Sequence, residues 1–349
     1  MKERKTFQLI HGRAPLRIND IGGWTDTWFA RQGRVQNLAV GPPVEVQVRV
    51  WPNSKGIKRR VRIITENYGH SFSFDPEKPS PQPHPLLQQA VNLAGVPQEL
   101  RLEIAIFSPV PPGMSTGTSA SVCVALIGTL LYLQGKSIKP KRLASLAHRV
   151  ETERLKQQCG IQDQLCAAYG GPLFIQMDRY PESRVIKLRL KPEVKAELER
   201  CLLLICLGKP HLSTRLHEKI IQRLEKGEAS SLPLRKMAGL AEKAWQALER
   251  GDLAAYGEIM IENNEWQRRL GADLISAQAE EVISLARRFG ARGWKVNGAG
   301  GEGGSLTILA SADDNLRRKM IEAIATLGGG IRPLPIYLSS EGFFAWSSQ

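Results

Sequence analysis

The sequence predicts an α+β protein of two lobes, with strands and helices segregated into layers instead of alternating regularly. Three observations predict it. Residues 7 to 110 read mainly as strands, four or five amphipathic helical patterns crowd the stretch after residue 195, and no internal repeat is visible. A chain of 349 residues with 42% apolar and 23% charged residues is long enough for two cores. The boundary is expected near residue 195, giving domains 1–195 and 196–349.

Taken in order, Val44 to Val50 and Val61 to Thr65 alternate partly in hydropathy, and Arg101 to Phe107 forms another short strand run. The proline-rich stretch Asp75 to Pro85 reads as a surface loop leading to a helix from His84 to Leu93. Thr118 or Ser119 can cap a helix that runs to Leu133. Lys141 to Gln157 predicts a further helix and Gln162 to Tyr169 a short one, stopped by Gly170, Gly171 and Pro172. A strand pair at Pro172 to Met177 and Arg184 to Leu190 closes the first half, and the apolar Cys201 to Leu207 opens the second. Helical patterns then span 213 to 226, 233 to 249, 252 to 269, 273 to 289 and 312 to 327, with strand-like segments at 292 to 297, 304 to 310 and 333 to 347.

Composition narrows the class. The longest apolar stretch, Ser119 to Leu133, is broken by Ser121, Gly128 and Thr129 and falls short of the roughly 20 residues that span a bilayer. Basic Met1 to Thr6 precedes only a brief apolar run, too short for a signal peptide, so a cytoplasmic location is expected. Cysteines at 123, 159, 166, 201 and 206 lack C-x-x-C spacing and read as reduced thiols, and the six histidines show no zinc-binding spacing. A net charge of +14 suits an anionic ligand, yet clusters such as Lys55, Lys58, Arg59, Arg60 and Arg62 have no interleaved aromatics. No nucleic-acid partner is therefore expected.

Three glycine-rich stretches carry the chemistry. Pro109 to Ser121, PVPPGMSTGTSAS, joins a strand to a helix whose start offers unpaired N–H groups and a positive dipole end, which suit phosphate oxygens. The same letters contain G-x-S-x-G with Ser115 at the nucleophile position of an α/β-hydrolase. Pro109, Pro111 and Pro112 interrupt the required strand, and no histidine follows His217. Gly135-Lys136-Ser137 ends like a Walker loop, but Leu130 stands where its first glycine belongs. Asn297 to Gly304, NGAGGEGG, has the letters of a dinucleotide fingerprint but is followed by a strand, which fits a glycine turn closing over a neighbouring ligand.

Together the segments resemble, in order, the signature motifs of the GHMP kinases. Ala14-Pro-Leu-Arg-Ile-Asn-Asp-Ile-Gly-Gly-Trp-Thr-Asp26 is similar to the first motif in its fucokinase and heptose-phosphate kinase form. Pro109 to Ser121 resembles the second, with Ser115, Thr116 and Thr118 replacing its usual residues, and Asn297 to Gly304 the third. Cys159-Gly-Ile-Gln-Asp163-Gln164 resembles the segment that carries the catalytic aspartate.

The resemblance implies an N-terminal lobe like domain 2 of ribosomal protein S5, a ferredoxin-like C-terminal lobe, and ATP-dependent sugar phosphorylation with Mg2+. It implies that Asp163 acts as base with Arg17 beside it, and that Pro111, Gly113, Ser115, Thr116, Gly117, Thr118 and Ser119 hold the nucleotide. It also implies that Ser119 and Glu151 bind the metal, while Gly22, Gly23, Asp26, Gly300 and Gly301 hold the sugar. Trp24 and Trp28 are candidates to stack on a sugar face, and Ser213 and Arg215 to reach it. The acceptor is expected to be a fucose-like sugar or a heptose 7-phosphate, phosphorylated at the anomeric hydroxyl by a monomer or homodimer. A non-catalytic sugar and nucleotide sensor on the same fold is the second reading.

Overall fold

The computed structural model describes residues 7–348 except 31, 55–56, 79–82, 112, 210–212 and 227–230; the side chains of 68 and 213–217 are also outside the description. Met1 to Thr6, Lys55, Pro112 and the side chains of Ser213 and Arg215 thus lie outside the described residues.

The chain begins with β1 (Gln8–Ile21), β2 (Gly33–Pro52), β3 (Val61–Thr65) and β4 (His70–Phe74), then α1 (Pro85–Ala94) and β5 (Leu100–Phe107). Next come α2 (Thr118–Leu133), α3 (Pro140–Arg149), a π-helical turn at Val150–Arg154, α4 (Gln162–Tyr169), β6 (Pro172–Arg179) and β7 (Glu182–Lys187). The second half holds α5 (Pro192–Cys201), β8 (Leu202–Leu207), α6 (Ser213–Glu225), α7 (Leu232–Arg250), α8 (Leu253–Leu270), α9 (Ala277–Arg288), β9 (Gly293–Val296) and β10 (Ser305–Leu309). α10 (Asp314–Ala325), β11 (Ile331–Leu334), β12 (Tyr337–Leu338) and β13 (Phe344–Ser348) complete it.

Two sheets result. The first runs β13-β1-β2-β5-β3-β4, with β6, β7 and β12 attached through β2, and the second is antiparallel in the order β11-β8-β10-β9. Ile10, Ala14, Leu16 and Ile18 of β1 face the core at period two, as a strand with one buried side demands. From Leu16 to Ile21 every residue is buried, because α2 and α4 cover one side of β1 while α7 and α8 contact it from the second half. That double cover explains why polar Arg17, Asn19 and Asp20 sit inside the protein. α2 is apolar nearly all round, as befits a helix enclosed by other elements; it buries Cys123, Val124, Leu126, Ile127 and Leu130.

Several expectations are corrected. The helix expected at 141 to 157 changes to a π turn after Arg149, which carries Glu151 into the interior. α5 was not anticipated, and Cys201 ends that helix instead of opening a strand. The pattern at 273 to 289 breaks at Ser276, whose hydroxyl accepts from Ala279 N–H and caps α9. The segment 333 to 347 is three short strands. Only the first stays in the second sheet, while β12 pairs with β2 and β13 with β1, so the C-terminal tail crosses the boundary expected near 195. A continuous core also spans it, joining Leu198, Leu204 and Tyr256 to the strands of the first sheet.

Candidate active site

A cleft of about 680 Å³ opens where the start of α2, the start of α4, the 24–29 loop and the Gly298–Ala299 turn converge. Its size lies in the usual range for small-molecule sites. Gly117 caps α2 in the left-handed region (φ 67°), and no side chain caps that terminus. The helix start is therefore open to an anion. Ser115 is also held at positive φ (55°), a strain that an L-residue adopts only when its surroundings impose it. Here the Arg17 backbone N–H donates to Thr116 O at 2.9 Å, Arg17 Nη1 donates to Ser115 O at 3.1 Å, and Ser305 Oγ donates to Met114 O at 2.6 Å.

Asp163 stands in the first turn of α4, against the α2 cap: a Cβ on Gly117 would lie 3.0 Å from Asp163 Cγ. Arg17 Nε donates to Asp163 Oδ1 at 2.7 Å. Burial works against the Arg17 charge, but Asp163 and Asp20 outweigh it and hold the guanidinium above its usual pKa. Asp163 remains partly accessible to the cleft, its side chain 28% exposed against 4% for Arg17. The pair can orient a proton-bearing group and offset negative charge.

Glu151 lines the same cleft, and Gln164 Nε2 donates to its Oε2. Burial pushes its carboxyl up to about 7, with the Gln164 bond opposing and Asp163 adding. Among the described residues no three His, Cys, Asp or Glu side chains form a metal cage. Magnesium needs none, since it keeps waters and phosphate oxygens beside one or two protein oxygens. Exposed Ser119 at the α2 start and buried Glu151, both lining the cleft, fit that donor set.

Asp26 lines the cleft too, as do Trp24, Thr27, Trp28 and Phe29. Its carboxylate accepts from Gln162 N–H at 3.0 Å and Gln162 Nε2 at 3.3 Å. Burial raises its pKa to about 6, the Gln162 N–H opposing and Asp163 adding. Thr65, Asn67, His84, Pro85, Leu86 and Ile106 also line the cleft, with Asn67 and Ser108 exchanging two hydrogen bonds of 2.6 and 2.7 Å.

Of the residues expected from sequence, Arg17, Asp26, Gly113, Ser115, Thr116, Gly117, Thr118, Ser119, Glu151 and Asp163 all line this cleft. Pro111, Gly22, Gly23, Gly300 and Gly301 do not. Gly22, Gly23 and Gly300 sit where no side chain fits, since a Cβ on Gly22 would overlap Arg34 O, on Gly23 Asp20 Oδ2, and on Gly300 Leu274 O, while Gly301 is held at φ 96° and donates its N–H to Leu274 O at 2.9 Å. Sequence reasoning missed Asp20, Gln162, Gln164, Lys295 and Tyr180. Charged residues inside apolar strand runs, Asp20 in RINDI and Lys295 in GWKV, were the available signal. The hydrolase reading of Ser115 loses its context, because residues 108–117 separate β5 from α2 and no strand runs into the serine.

Residues 86–171 match the family GHMP kinases N terminal domain. The chain is 24% identical over 368 residues to L-fucokinase/L-fucose-1-P guanylyltransferase of Bacteroides fragilis, a match covering 96% of this chain and 38% of that protein. It thus spans well under half of that relative's length. It is 28% identical over 264 residues to mevalonate kinase of Pyrococcus horikoshii, covering 73% of this chain and 72% of the relative. The crystal structure of a D-glycero-D-manno-heptose 1-phosphate kinase from Bacteroides thetaiotaomicron superposes with a TM-score of 0.75 at 18% identity, covering 97% of this chain and 99% of that one.

Proposed function

We propose that the chain is a phosphotransferase of the GHMP kinase type that transfers the γ-phosphate of ATP to the anomeric hydroxyl of a sugar, a reading supported by the family match of residues 86–171 and by the likeness of fold. The observation that carries this reading is the Arg17–Asp163 pair, seated against the uncapped start of α2.

In this mechanism the N–H groups at the start of α2 and the Gly113–Gly117 turn hold the β and γ phosphates. Asp163 accepts the proton of the attacking hydroxyl as its oxygen bonds to the γ phosphorus and the bond to the β-phosphate oxygen breaks, leaving ADP. Arg17 holds the Asp163 carboxylate in place and faces the negative charge of the transferring group. Magnesium, when bound, would neutralise phosphate oxygens, with Ser119 and Glu151 as its protein ligands.

A sugar acceptor is supported by Asp26, a buried carboxylate suited to receiving hydroxyl hydrogen bonds, beside the rings of Trp24, Trp28 and Phe29. Among the described residues lining the cleft, Arg17 is the one Lys or Arg side chain. That lining favours a neutral fucose-like sugar over an acceptor already carrying phosphate. ADP release measured with hexoses, deoxyhexoses, heptoses, heptose phosphates and mevalonate tests the reading. Turnover with a free sugar, abolished by Asp163→Ala, is the expected result. Binding of sugar and ATP without turnover would favour the sensor instead, and turnover with mevalonate alone would overturn the sugar assignment.

A further inference from the structure

Behind Arg17 lies a row of alternating buried charges that crosses from one sheet to the other. Lys295 of β9 is fully buried, and its Nζ donates to Asp20 Oδ1 at 3.1 Å, Gln267 Oε1 at 3.3 Å and Val296 O at 2.8 Å. All three ammonium donors are therefore used. Asp20, 1% exposed, gathers on Oδ1 the Lys295 ammonium, the Gly298 N–H at 3.0 Å and Arg17 Nη1 at 3.2 Å. Its Oδ2 has no hydrogen-bond partner among the described residues. Burial pushes the Asp20 carboxyl up, but Lys295 and Arg17 outweigh it and hold it below the ordinary carboxylate range.

We propose that Lys295 and Asp20 are positioning residues for phosphoryl transfer: Lys295 fixes the Asp20 carboxylate, and Asp20 fixes the Arg17 guanidinium against Asp163. Stability alone does not ask for this arrangement, because an apolar pair would fill the same space without desolvating two charges or leaving a carboxylate oxygen unpaired. The geometry serves orientation. Asp163 on Nε and Asp20 beside Ser115 O on Nη1 fix two edges of the guanidinium plane, and without the Asp20 charge the Nη1 edge keeps Ser115 O, a neutral and weaker acceptor. Lys295 also prevents Asp20 from cancelling the Arg17 charge, so the row presents one net positive charge to the cleft. Since Gly298 N–H shares the same Asp20 oxygen, the glycine turn of the second sheet is tied to the Arg17 orientation.

This inference rests on the kinase reading, and a double-mutant cycle separates the two. Arg17→Ala tests the reading: unchanged kcat in that variant sinks the role of Arg17 in the chemistry. Asp20→Asn tests the relay, keeping the shape and the Oδ1 acceptor while removing the charge. Expected is a kcat loss of about ten-fold or more with KM for ATP unchanged, since small misplacements of positioning groups act on turnover. In the Arg17→Ala background the added Asp20→Asn change should cost less than about two-fold, because Asp20 acts through Arg17. An equal loss in both backgrounds, or none in either, overturns the relay. Should Asp20→Asn not fold, Asp20→Asn/Lys295→Met removes both buried charges together and gives the same comparison. Recovery of full kcat in that double variant would mark the pair as mere filling.

Discussion

Gly160 lies directly against the Asp26 carboxylate: a Cβ at Gly160 would overlap Asp26 Oδ2. The contact brings the segment between Glu151 and Asp163 against the carboxylate proposed to bind the sugar. Gly160→Ala should therefore displace Asp26 and raise KM for the acceptor about ten-fold, with KM for ATP unchanged. Steady-state kinetics with each substrate varied checks this, and equal changes in the two KM values would count against it.

Asp26 also predicts a pH dependence of stability. Its folded pKa of about 6 lies above the unfolded value of 3.8, so the folded state holds the proton more tightly and stability falls as pH rises through that window. The cost above pH 6 is about 3 kcal/mol, from roughly 1.4 kcal/mol per pKa unit. His148 works in the opposite direction. Burial pushes it down to about 4, so its contribution rises with pH between about 4 and 6.5, while Glu151, raised to about 7, falls along with Asp26, and only comparison with a variant isolates the Asp26 effect. Asp26→Asn, compared with the native chain by thermal unfolding, should show a stability gain that is small at pH 4 and full at pH 7. A gain independent of pH would remove Asp26 as its source.

Tyr180 ties down the loop between Glu151 and Asp163. Its hydroxyl lies 2.8 Å from His148 Nε2 and 3.0 Å from Cys159 O, and its ring packs edge-on against Trp28. Tyr180→Phe keeps the ring contact and removes both hydrogen bonds of the hydroxyl, which should cost about 1–3 kcal/mol. Turnover is expected to fall several-fold through looser placement of the 159–163 segment. Denaturant unfolding and kcat together check it; unchanged stability would show that water replaces the hydroxyl.

A side chain at the α2 cap is disfavoured by backbone conformation and by its contact with Asp163. Gly117→Ala forces an L-residue to φ 67°, costing about 1–2 kcal/mol, and drives its Cβ against Asp163. A drop in kcat of at least about ten-fold is expected alongside a lower thermal midpoint. Loss of stability with full turnover would mean that Asp163 can move without consequence.

Ser115→Gly is expected to do the reverse, relieving a non-glycine residue at φ 55° by about 1 kcal/mol and leaving turnover intact. A serine nucleophile would lose all activity in this variant, so the same measurement closes the hydrolase reading.

The local half of this protein is legible in the chain itself. The α2 start, the glycine turns at 113–117 and 298–304, and the Asp163 segment each depend on backbone freedom and hydrogen bonding within a few residues, which letters and spacing report directly. What tertiary structure alone decided is which of these local features face a common cleft. Gly22, Gly23, Gly300 and Gly301 belong to the same motifs as Arg17, Asp26 and Gly298, yet packing against Arg34, Asp20 and Leu274 turns them away from it. Likewise the Lys295–Asp20–Arg17 row joins strands far apart in sequence and in different sheets. No local pattern encodes such pairings, because a buried charge acquires its partner only when the fold closes water out around both.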